Sequence, residues 1–194
     1  MRSEYKLKDI KTIPNILSIL RILLIPVFMH RYMTASTELD YKIVAGIVLF
    51  SGVTDLVDGF IARRFNQITE LGKLLDPVAD KLTQLAIIIC LITRYHWMKY
   101  LFVLFIIKES TMALLGLYFM NRKEMKLDGA GWFGKLSTAV FYLGSIILFF
   151  FYDLNINHVN ALITIMGIFL IISLVLYVRT YYHMAKQTVN GKLK

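Results

Sequence analysis

The sequence predicts an all-α polytopic membrane protein with six transmembrane helices, preceded by a short N-terminal amphipathic helix on the membrane surface. Three observations carry this prediction. Of the 194 residues, 57% are hydrophobic and only 18% charged, with a mean hydropathy of +0.61; a soluble domain is about 25% charged and about 45–50% apolar. The apolar residues fall into six runs, at Ile13–Met33, Ile43–Ile61, Leu74–Thr93, Trp97–Met120, Phe133–Tyr152 and Val159–Tyr182, each near the roughly 20 residues that cross a bilayer. Lys and Arg gather at alternate ends of these runs, as orientation in a membrane requires.

Each element has its own justification. Residues 1–12 form a juxtamembrane segment in which Tyr5, Leu7 and Ile10, continued by Ile13, alternate with Lys6, Lys8 and Lys11; that pattern suits a basic helix lying on an anionic leaflet. The following run is too long for a cleaved leader, and five more runs follow it. Residues 13–183 form one six-helix domain with short connections, so successive spans are antiparallel neighbours. Residues 184–194 form a basic tail. One side of the membrane receives fifteen cations: Arg2, Lys6, Lys8 and Lys11; Arg63, Arg64 and Lys73; Arg122, Lys123, Lys126 and Lys135; Arg179, Lys186, Lys192 and Lys194. The other receives Arg31, Lys42, Arg94 and Lys99. Both termini are therefore expected in the cytoplasm, in an inner (cytoplasmic) membrane, and an even number of spans is required. Arg21, Lys81 and Lys108 lie inside apolar runs.

Composition also excludes classes. With 13% aromatic residues the chain is not disordered, and the single Cys90 rules out a disulfide scaffold. A net charge of +9 would suggest nucleic acid in a soluble protein. Here the cations flank apolar runs, so membrane lipids are the expected partner and nucleic acid is not.

The chemistry concentrates where the second and third runs meet. Asp55 and Asp58 stand at i, i+3 at the end of the second helix; Asp76 and Asp80 stand at i, i+4 on the third. Each pair shares one helix face, and a turn of about ten residues is expected to let the faces meet. A carboxylate within a span is costly unless it is paired, metal-bound or wet. Four converging in low dielectric repel one another, and hard divalent cations such as Mg²⁺, Mn²⁺ or Ca²⁺ reverse that balance. Two such ions form a common clamp for displacement at phosphorus. Gly59 and Ala62 leave room beside the helix, Arg63 offers a planar fork to phosphate oxygens, and Gly72 permits close backbone approach. The pattern reads as a site for a metal-bound pyrophosphate at the cytoplasmic membrane edge. Taken singly, these residues have plainer roles: Asp76 before Pro77 as a helix N-cap, Asp80 as a partner of Lys81 or Lys73, and Gly59 and Ala62 as packing contacts. An ion-coupled transporter would also place acids in spans.

The stretch resembles the signature of the CDP-alcohol phosphotransferase family, Asp-x2-Asp-Gly-x2-Ala-Arg-x8-Gly-x3-Asp-x3-Asp. All eight fixed positions match, at Asp55, Asp58, Gly59, Ala62, Arg63, Gly72, Asp76 and Asp80; chance gives this on the order of 10⁻¹⁰ per start position. The resemblance implies transfer of a phosphatidyl or similar group from a CDP-linked donor to an alcohol, with release of CMP. It implies two divalent cations, Mg²⁺ or Mn²⁺, on Asp55, Asp58, Asp76 and Asp80, with Asp80 also the general base. It implies donor contacts from Asp58, Gly59, Ala62, Arg63 and Gly72, and it implies a homodimer.

Within the family, Pro14–Arg21 and Leu75–Lys81 look like the branch that joins CDP-diacylglycerol to sn-glycerol 3-phosphate in phospholipid biosynthesis. The acceptor is then expected near Arg21, Lys108, Lys135 and Thr138. Ser137 stands where that branch often has a second Lys, and Lys108-Glu109 where it often has Arg-Glu. A cardiolipin-forming branch, with phosphatidylglycerol as acceptor, is the alternative.

Overall fold

The computed structural model describes residues 12–65, 67–121 and 131–189. Among these the chain forms six α-helices: α1 (Ile13–Met33), α2 (Glu38–Arg64), α3 (Glu70–Ile92), α4 (Met98–Asn121), α5 (Trp132–Phe150) and α6 (Ile156–Val189). Five of them, all but α3, are long and apolar enough to cross a membrane. The exception has a plain cause. Every 18-residue stretch of α3 contains Asp76, Asp80 and Lys81. The expected surface helix over residues 1–12 lies, apart from Thr12, outside the described residues, as does the tail beyond Val189.

The apolar runs mark the helix interiors, but the helices outrun them because polar residues cap and continue them. Thr37 accepts from the Asp40 amide while Asp40 accepts from the Thr37 amide, a reciprocal capping box worth about 1 kcal/mol. Asp40 also pairs with Arg31 at 2.7 Å across the α1–α2 turn. Helix α2 therefore starts at Glu38 rather than near Ile43, and its 27 residues span about 40 Å.

The entrance to α3 differs more. Thr69 is its N-cap, its hydroxyl accepting from the Gly72 amide at 2.9 Å. The α2–α3 linker is thus residues 65–69, about half the expected length. Asp76 is not an N-cap, and Pro77 lies inside the helix. Pro77 cannot donate to the Lys73 carbonyl, which opens the helix ladder beside the acids.

The chain divides into two compact units. One comprises the residues up to Arg94 together with Ser145–Leu154; the other comprises Tyr95–Gly144 and Asn155 onward. In the first unit α1 packs against both α2 and α3. The buried face of α1 follows a three-four spacing through Pro14, Ser18, Arg21, Phe28 and Tyr32. Its first half is polar and its second half apolar. Small buried residues on α3, Ala79, Thr83, Ala86 and Cys90, permit close helix approach. At the far end of this unit Arg94 lies over the rings of Tyr41 and Tyr152, 5.3 and 5.2 Å from their centroids. Its guanidinium also donates to the Tyr152 carbonyl at 2.5 Å. Tyr41 and Tyr152 stack on each other at 5.2 Å, and Tyr32 meets Phe149 edge-on.

In the second unit α4 packs on α6, with Gly167 against Leu101. The Phe133 and Tyr177 rings meet at 4.7 Å. Many large apolar side chains of both units, including Leu23, Leu56, Phe60, Leu114 and Val175, are more than half exposed. A soluble protein does not tolerate so much contiguous apolar surface, and lipid accounts for it.

Candidate functional site

The site is built on α1. Pro14 in its first turn presets the helical backbone, and Asn15, Ser18 and Arg21 then follow on one side. All three are buried. Arg21 is fully buried, with Nη1 on Asp55 Oδ1 at 2.5 Å and Nη2 on Asp58 Oδ2. One guanidinium thus spans both carboxylates of the i, i+3 pair on α2. One turn earlier, the Ser18 hydroxyl lies within hydrogen-bond reach of Asp76 Oδ1 on α3 and of the Pro14 carbonyl. At the start of the helix, Asn15 Nδ2 donates to the Thr69 hydroxyl at 3.0 Å. The first helix therefore reaches three of the four acids, Asp55, Asp58 and Asp76, and the cap of α3, the helix that also carries the fourth, Asp80.

This corrects one expectation. The acid-bearing helices were expected to meet each other directly. Among the described residues, the principal helix partner of both α2 and α3 is α1. The carboxylates are tied together through that helix all the same, Asp55 and Asp58 by Arg21 and Asp76 by Ser18. Arg21 was expected on the acceptor; here its terminal nitrogens are engaged by Asp55 and Asp58.

Asp80 has neighbours on its own helix. Gln84 Nε2 donates to its two oxygens at 2.9 and 3.0 Å, and Lys81 Nζ lies 3.2 Å from Oδ2. The plain role of Asp80 as a partner of Lys81 is therefore present. Lys73 pairs instead with Glu70 at 2.6 Å. Gly72 is required by contact: a Cβ there would stand 2.6 Å from Asn15 Oδ1 and 3.0 Å from Thr69 Oγ1. Gly59 and Ala62 are half-buried on α2 just past Asp58. Arg63 belongs to the same helix, and its side chain lies outside the described residues.

Lys108, Lys135 and Thr138 belong to the other unit. Lys108 is buried and pairs with Glu109 at 2.6 Å. Lys135 is exposed and Thr138 half-buried, near the start of α5. Beside them, Gly134 leaves room for the Tyr177 hydroxyl, which a Cβ would meet at 2.3 Å.

Sequence reasoning did not single out Asn15, Ser18, Thr69 or Gln84. The signal for the first two was present, as polar residues at i and i+3, with Arg21 at i+6, in an otherwise apolar helix.

Among the described residues, no three His, Cys, Asp or Glu side chains already converge at metal-holding distance. The donor set nevertheless suits a hard divalent cation. It consists of carboxylates, and Arg21 leaves the second oxygen of both Asp55 and Asp58 untouched.

Comparison with known proteins agrees with this chemistry. The chain matches the family model described as CDP-alcohol phosphatidyltransferase over residues 11–178. A Haemophilus influenzae protein named CDP-diacylglycerol--glycerol-3-phosphate 3-phosphatidyltransferase is 31% identical over 128 residues, covering 65% of this chain and 69% of the relative. An Escherichia coli K12 protein of the same name is 32% identical over 128 residues, covering 65% and 70%. The family match begins just before α1, runs into α6 and takes in all four carboxylates; the chain belongs to the CDP-alcohol phosphatidyltransferase family.

Proposed function

We propose that the protein transfers a phosphatidyl group from CDP-diacylglycerol to sn-glycerol 3-phosphate, giving phosphatidylglycerophosphate and CMP. The observation that carries this reading is the set of four carboxylates at the family spacing, three of them held by Arg21 and Ser18 of α1. The names of the two relatives supply the acceptor. Family membership sets aside the transporter.

Asp55, Asp58, Asp76 and Asp80 would hold two divalent cations, Mg²⁺ or Mn²⁺, whose charge offsets that of the donor pyrophosphate and of the departing CMP oxygen. Asp80 takes the proton of the attacking hydroxyl. Gln84 and Lys81 hold its carboxylate in place without using all its lone pairs. The acceptor oxygen forms a bond to the phosphatidyl phosphorus, and the bond to the CMP oxygen breaks in line. Gly59, Ala62, Arg63 and Gly72 border the donor; Lys108, Lys135 and Thr138, which the resemblance assigns to the acceptor, belong to the other unit.

The same reading makes α3 a sixth span, since its charges are met by Ser18, Lys81 and Gln84 rather than by lipid. With six spans, the fifteen-to-four division of cations supports both termini and the site lying at the cytoplasmic face of an inner membrane. The family resemblance adds a homodimer, which cross-linking in native membranes reads directly.

The test is an acceptor panel. Purified protein receives CDP-diacylglycerol and Mg²⁺ or Mn²⁺ with glycerol 3-phosphate, phosphatidylglycerol, inositol phosphate or serine. CMP release and phosphatidylglycerophosphate are expected with glycerol 3-phosphate. Cardiolipin from phosphatidylglycerol, with no reaction on glycerol 3-phosphate, would overturn the acceptor.

A further inference from the structure

We propose that Arg21 is the resident counter-cation of the carboxylate site: it holds Asp55 and Asp58 in position and competes with divalent cations for their oxygens. The proposal rests on the reading of the site as metal-binding.

Three observations support it. The guanidinium has no exposed surface, and both terminal nitrogens are on carboxylates of one face of α2. Asp58 itself is 2% exposed. Asp55 is 31% exposed, so the desolvation cost falls on Asp58 and Arg21: a buried acid without a cation carries a large cost, and a cation buried without acids does the same. Each side therefore accounts for the presence of the other.

The local charge is only partly balanced. Arg21 stands on Asp55 and Asp58 and Lys81 on Asp80, while Asp76 meets the neutral hydroxyl of Ser18. Arg21 thus lowers the repulsion enough for α1 and α2 to pack, and leaves a field that still draws a divalent ion.

The third nitrogen, Nε, is buried and has no acceptor among the described residues. The fork is thus not locked on all its donors. It can shift when a metal takes a share of Asp55 or Asp58. Ser18 leaves Asp76 out of this competition, because a neutral hydroxyl meets that acid.

The experiment uses full-length protein in nanodiscs, with two readouts besides turnover. The first is the thermal unfolding midpoint in EDTA. The second is Mn²⁺ binding, followed by the electron paramagnetic resonance of the free ion. Arg21→Gln is expected to lower the midpoint in EDTA. It should bind Mn²⁺ about tenfold more tightly or better, because a positive charge beside the ion is gone, and added Mn²⁺ should recover much of the lost midpoint. Arg21→Lys, with the charge but not the fork, should fall between. Arg21→Gln combined with Asp58→Asn should regain stability in EDTA, since no uncompensated pair remains.

Arg21→Gln with wild-type Mn²⁺ affinity, or weaker, overturns the proposal. If Arg21→Gln does not fold in EDTA, the double variant decides: folding of the double variant supports the counter-cation role, and its failure overturns it. A wild-type protein that binds no Mn²⁺ overturns the metal reading of the site itself, which is a separate outcome.

Discussion

Replacing Gly72 by Ala tests how tightly α1 closes on the entrance of α3. The added Cβ would stand 2.6 Å from Asn15 Oδ1 and 3.0 Å from Thr69 Oγ1. The Asn15 side chain must move, and it is 1% exposed, so it has little room. Its bond to Thr69 is lost, at about 0.5–1.5 kcal/mol. Displacing Thr69 also weakens the cap on the Gly72 amide, worth about 1 kcal/mol. Against this, Ala gains about 1 kcal/mol of helix propensity over Gly in a helix interior, and less in a first turn. The net is a destabilisation of about 1–2 kcal/mol. For a chain of this size that lowers the unfolding midpoint by about 3–6 °C. Gly46 on α2 is the control, because a Cβ there meets nothing within 4 Å. Gly46→Ala should raise the midpoint by about 2–3 °C from propensity alone. Thermal unfolding of both variants in the same nanodiscs, followed by circular dichroism, gives the answer. A Gly72→Ala midpoint at or above wild type would refute the steric reasoning.

Other perturbations separate chemistry from stability. Asp80→Asn should reduce CMP release by about 10²–10⁴-fold with an unfolding midpoint close to wild type, because Asn keeps an acceptor for Gln84 but cannot take the proton; retained turnover would contradict its role as base. Chelation by EDTA should abolish transfer, and Mg²⁺ or Mn²⁺ should restore it; transfer that persists in EDTA would contradict the metal assignment. Arg94→Gln should cost about 1–2 kcal/mol through loss of the Tyr41 and Tyr152 ring contacts and the carbonyl bond, while turnover per folded molecule stays unchanged; a selective loss of turnover at unchanged stability would contradict that structural role.

Much of the fold is visible in the residues themselves. Each apolar run lies largely within one helix, because hydropathy reports directly on what lipid accepts. The ends are less visible, because local hydrogen bonding decides them. The Thr37–Asp40 capping box and the Thr69 cap extend α2 and α3 beyond their apolar cores. The same effect places Pro77 inside a helix. The acidic pairs are legible for a simple reason: helical spacing puts Asp55 with Asp58 and Asp76 with Asp80. What no local pattern supplies is the element that joins them. Arg21 lies 34 and 37 residues from Asp55 and Asp58, and Ser18 lies 58 from Asp76. Those meetings are set by helix packing. The polar stripe of Asn15, Ser18 and Arg21 marks α1 as a helix with a polar partner, without saying which one.

The most direct test is the position of Mn²⁺ in a crystal of the protein, located by its anomalous scattering. The account predicts metal density within about 2.1–2.2 Å of carboxylate oxygens from both α2 and α3, drawn from Asp55, Asp58, Asp76 and Asp80. Mn²⁺ bound elsewhere, with these four side chains left on Arg21, Ser18 and Gln84, would contradict it.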